Sequence, residues 1–112
     1  MTRYLISFDD GAMIFPAEEL SDVAEAAHKV VREAKNAGVW VFGGGVVSQR
    51  ASIVATDGTV TDGPYPETKA VIGGFSIIDV PSREEALEWA AKIAVACRCA
   101  QEVREIGYDP DS

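Results

Sequence analysis

Two stretches of helical period, residues 16–36 and 82–97, are each flanked by short runs of strand-like alternation. That order, β-α-β twice over, constrains the fold more than any other feature of the chain. Strands that alternate with single amphipathic helices must bury one face of a sheet beneath those helices. In the first helical stretch Leu20, Val23, Ala24, Ala27, Val31 and Ala34 form one stripe, with Glu18, Glu19, Asp22, Glu25, Lys29 and Arg32 mostly off it. Pro16 suits a first helical turn, and Gly38 suits the left-handed residue that closes a helix. Before the second helix, Ser82 and Glu85 read as a capping box. Its stripe of Ala86, Leu87, Ala90, Ile93, Ala94 and Cys97 is small enough for close approach to a sheet.

The remaining apolar runs read as strands. Residues 3–8 place Tyr4, Ile6 and Phe8 on one face and Leu5 on the other; residues 75–80 are apolar on both faces, as a central strand is. Residues 39–42 run into Gly43, Gly44 and Gly45, which need a reason: a bend of the sheet, or close approach by another group. Asp57-Gly58 between residues 51–56 and 59–61 predicts a hairpin with a tight two-residue turn. A last strand falls within residues 100–106. The sum is an α+β domain, an antiparallel sheet with two helices on one face. Its other face is too apolar to stay wet, and a second copy is the simplest cover.

The 112 residues suffice for one domain, and the net charge of −8 disfavours phosphate backbones and anionic membrane surfaces as partners. No apolar run approaches the roughly 20 residues of a membrane span, and the N-terminus lacks the order of a signal peptide, so a cytoplasmic protein is expected. Cys97 and Cys99 stand too close for an unstrained bridge; with a single histidine, they make neither a disulfide nor a zinc site an expectation.

Chemistry concentrates in residues 61–80. Asp62-Gly63-Pro64 opens a turn, Tyr65 follows, and Glu67-Thr68-Lys69 leads to Gly73-Gly74-Phe75 at the start of the apolar strand. The run resembles the signature of the YCII-related family, in particular its DGPF branch, where Asp-Gly-Pro-Phe precedes Glu-Thr-Lys and a Gly-Gly-aromatic strand. Tyr65 stands where that branch has phenylalanine, and Ala70 where a glutamate is common. The resemblance covers nearly the whole chain and implies a single domain over residues 1–107 with a solvated tail at 108–112. It also implies a ferredoxin-like fold that pairs as a dimeric α/β barrel.

His28 is the only histidine, and imidazole is the side chain that changes charge near neutral pH without special help. It lies at the margin of the buried stripe, beside Ala24 and Val31. The resemblance implies that His28 is a general acid or base, with Asp62 as the carboxylate that orients it or binds substrate; Asp9 and Asp10 are alternative partners. Lys69 and Arg50 could hold an anionic group, Tyr65 and Phe75 could wall a ligand, and Gly63, Pro64 and Gly74 would bring backbone close to it. Trp40 and Trp89 read as core or interface residues. The expected function is a cofactor-independent acid-base enzyme of lyase or isomerase type acting on a small organic molecule. The alternative is a non-catalytic binding or regulatory module, since DGPF relatives are often encoded beside alternative sigma factors.

Overall fold

Tyr4 and Ile6 alternate with less buried neighbours along β1 (Thr2–Asp9), and that period-2 pattern sets the sheet. In the computed structural model, which describes residues 1–65 and 71–112, β1 pairs antiparallel with β5 (Ile72–Val80) and β6 (Glu102–Glu105). β5 pairs on its far side with β2 (Trp40–Gly45), giving the order β2-β5-β1-β6. With α1 (Leu20–Asn36) between β1 and β2 and α2 (Arg83–Cys97) between β5 and β6, this is the expected ferredoxin-like arrangement. β5 is central, as its two apolar faces required.

The helix-covered face holds the core: Tyr4, Ile6, Ile78 and Val80 from the strands meet Ala34, Ala86 and Ala90 from the helices. Alanine at these contacts lets the helices lie close, and Val39, Trp40, Trp89 and Ile93 fill the flanks. Two expected stripe residues are displaced. Leu20 is 60% exposed because a 3-10 turn at Ala17–Glu19 takes up the start of the helical stretch and leaves Leu20 at the α1 terminus. Leu87 is 44% exposed because the face of α2 that meets the sheet is centred on Ala86, Ala90 and Cys97. The Ser82 half of the expected capping box forms, its Oγ accepting the Glu85 N–H at 3.2 Å, and Gly38 closes α1 at φ 75°. α2 ends without glycine, on Arg98 in the left-handed region at φ 57°.

The hairpin of β3 (Ala51–Val54) and β4 (Val60–Gly63) forms a separate two-stranded sheet. Its turn holds three residues, not two. Ala55 and Thr59 pair, Gly58 N–H donates to the Ala55 carbonyl, and only Gly58 takes a positive φ, 88°. A two-residue turn of the expected kind needs Asp57 at positive φ too; Asp57 instead accepts the Thr59 N–H at 2.9 Å. The hairpin has no substantial packing against the helices or the main sheet. It helps make the chain wide and thin, 43 × 43 × 19 Å, with a radius of gyration of 15.8 Å. A compact domain of this length would have about 13 Å. No helix among the described residues is long and apolar enough to cross a membrane.

Candidate functional site

The three glycines of β2 prepare the ground for a cavity. Gly43, Gly44 and Gly45 run in register with Ser76, Phe75 and Gly74, and the irregularity of the strand lies earlier, between Trp40 and Phe42. One extra residue there, Val41, sends Trp40 to the helix side, opposite Ile78, and Phe42 to the other side, opposite Ile77. Close approach explains Gly43. A Cβ there would stand 2.6 Å from the Phe75 carbonyl oxygen and 2.9 Å from Cη2 of the Trp40 indole. The same device recurs on β5, where a Cβ at Gly74 would stand 2.7 Å from Cζ of Phe8. Two aromatic rings therefore lie on two glycines.

Above them a cavity of about 450 Å³ opens between α1, β2 and the end of α2. That is the size range of small-molecule sites. Phe8 and Trp40 border it, α1 presents His28, Val31 and Lys35, and α2 presents Ile93 and Cys97. His28, Val31 and Lys35 share one helix face by their spacing of three and seven residues. Lys35 makes no ion pair among the described residues, whereas Lys92, Arg98 and Arg104 are each paired. Burial, reinforced by the neighbouring Cys99, pushes the Cys97 thiol above its ordinary range, so at neutral pH it is a protonated wall residue. Gln101, also at the cavity, donates its amide N–H to the Cys99 carbonyl at 3.3 Å.

Of the residues singled out in the sequence, His28 and Phe75 border this cavity. The Phe75 ring packs against Phe42, with centroids 5.9 Å apart. Gly74 is buried beneath Phe8 and does not border the cavity. Asp62 pairs with Ser52 in the hairpin; Asp62, Pro64 and Tyr65 are exposed and, like Gly63, lie away from the cavity wall. Asp9 and Asp10 are exposed at the end of β1 and do not border it either. Lys69 falls outside the described residues, with Glu67, Thr68 and Ala70. Within one chain, then, His28 meets a cavity but none of its three candidate carboxylates lines it. Lys35, Phe8 and Trp40 were not singled out as ligand contacts. Lys35 carried a readable signal, since it follows His28 by two helical turns. The roles of Phe8 and Trp40 depend on which glycines their rings cover, which only the strand register decides.

Fold and site together define a class: a ferredoxin-like α+β protein with a ligand-sized groove beside its first helix. The sequence matches the YCII-related domain over residues 2–107, and the chain belongs to the YCII-related family. Comparison with curated proteins gives no match. Among solved structures it is similar to 5-chloro-2-hydroxyhydroquinone dehydrochlorinase from Burkholderia phenoliruptrix AC1100, in complex with 2,5-dihydroxybenzoquinone. The TM-score is 0.57 at 15% sequence identity, covering 99% of this chain and 98% of that one. At that identity the likeness is one of fold.

Proposed function

We propose that the groove binds a small ring-shaped organic molecule and that His28 moves a proton on it, in a cofactor-independent reaction of lyase or isomerase type. The observation that carries this reading is the position of the only imidazole, at a mainly apolar cavity floored by Trp40 and Phe8. His28 is exposed at the rim of the groove, and the aromatic walls beside it hold a flat ligand by its faces. Neutral imidazole takes a proton from a C–H or O–H of the ligand and returns it to the departing or neighbouring atom, which completes an elimination or an isomerisation. A fold neighbour that is a dehydrochlorinase and holds a dihydroxybenzoquinone supports both the reaction type and the ring-shaped ligand.

The signature at Asp62 supports placement in the DGPF branch and a role for its carboxylate. Because Asp62 lies away from the cavity of its own chain, it serves in this reading from a second copy, whose hairpin reaches the groove of the first. The pairing is that of a dimeric α/β barrel, through the sheet face the helices leave open.

The test is turnover of a panel of chlorinated and unchlorinated hydroxyquinols and hydroxyquinones, followed by absorbance. His28→Asn is expected to lower turnover about 10²- to 10⁴-fold, the range for loss of a general acid-base group. Turnover equal to that of the wild type would overturn the role of His28. Saturable binding with no turnover would favour the other reading, a binding module, to which the lack of a carboxylate at the cavity among the described residues already points.

A further inference from the structure

The groove has a charge pattern of its own. The chain carries 18 acidic residues against 10 lysines and arginines, yet among the described residues the cavity is bordered by His28 and Lys35 and by no carboxylate. In a chain of net negative charge, the one permanent charge on this lining is therefore a cation, free of a neighbouring carboxylate on the same wall. Lys35 stands at the C-terminal turn of α1, exposed and without an ion-pair partner among the described residues. Seven residues separate it from His28, so the two backbone positions are about 10 Å apart along one helix face. The aromatic side chains of Phe8 and Trp40 line the same groove.

We infer that the groove takes a ring acid: a flat carbocycle lying on Trp40 and Phe8, its carboxylate held by the Lys35 ammonium and its opposite, reacting edge at His28. This rests on the groove being the ligand site and specifies what that site selects. A para-substituted benzoate spans the distance with one hydrogen bond at each end. Lys35 fixes which edge of the ring faces the imidazole, so it is a binding residue that also sets orientation.

The experiment is calorimetric titration at neutral pH of 4-hydroxybenzoate and of its uncharged isostere, 4-hydroxybenzamide, into the full chain and its Lys35→Met and Lys35→Arg variants. The wild type should bind the acid about tenfold more tightly than the amide, the worth of one charge-assisted hydrogen bond. Lys35→Met should abolish that preference while leaving amide affinity within about twofold, and Lys35→Arg should keep it. Equal binding of acid and amide by the wild type, or a preference that survives Lys35→Met, would overturn the inference and leave the groove standing as a ligand site. Binding of neither probe would remove both. Since Lys35 is exposed and outside the core, none of these outcomes turns on misfolding.

Discussion

A methyl group at position 43 has nowhere to go. Its nearest neighbour would be a backbone oxygen of the central strand at 2.6 Å, which cannot swing aside, and next the Trp40 ring at 2.9 Å. One residue on, a Cβ at Gly44 would meet nothing within 4 Å. Gly43→Ala should therefore cost about 1–3 kcal/mol by overpacking. Gly44→Ala should be neutral or stabilise by up to about 1 kcal/mol, through the unfolded chain alone. Urea denaturation of the two variants checks this, and equal stabilities would show that Trp40 does not need the bare strand. Gly43→Ala should also perturb Trp40 fluorescence and weaken any ligand in the groove. The glycine run was visible in the sequence as an unexplained cost. What explains it was hidden, because the approach of the Trp40 indole to Gly43 depends on the extra residue at Val41 and on a neighbouring strand 32 residues away.

At the scale of elements, local signals were enough wherever an element is specified by its own residues. Both helices, the Ser82 cap of α2, the Gly38 terminus of α1 and the central place of β5 follow from period and capping chemistry within about 15 residues, whereas the start of α1 at Leu20 and the end of α2 on Arg98 do not. Ser82 is the clearest case, since its hydroxyl accepts the Glu85 N–H and begins α2. Ser82→Ala should destabilise the domain by about 1 kcal/mol, and Ser82→Asp should restore most of that loss. A melting temperature unmoved by Ser82→Ala would mean that tertiary contacts alone hold the first turn. Local reading failed at the hairpin turn, where Asp-Gly chemistry is compatible with two loop lengths and the positive φ of Gly58 alone chose the longer. The candidate site was less legible, since Asp62 and His28 sit on elements with no substantial packing against each other among the described residues, and what a second copy brings to the groove is not written in local sequence.

The whole molecule leaves one sheet face without helices. Residues opposite one another on paired strands share a face, so Leu5, Ile77 and Phe42 lie together there, next to Phe75 and Ser7. Phe42 is 60% exposed. From strand spacing and rise, four strands of this length offer a face of about 500 Å². Two such faces reach only about the 1,000 Å² at which specific interfaces begin. The hairpins supply the remainder in the proposed dimer, since Val54 and Val60 are exposed on an arm without substantial packing against the helices or the main sheet among the described residues. The chain should therefore run at twice the mass of one copy in light scattering, and Phe42→Asp should halve that mass without unfolding a core to which Phe42 does not belong. A wild type that stays monomeric at tens of micromolar would remove the pairing and, with it, any route for Asp62 to a groove. If the dimer stands, mixing separately inactive His28→Asn and Asp62→Asn chains tests the route itself. Random reassortment makes half of the dimers mixed, and each mixed dimer holds one groove with both native side chains, so activity should return to about a quarter of the wild-type value. A His28 and Asp62 that worked within the same chain would instead leave every groove in the mixture missing one of them, and no activity would return.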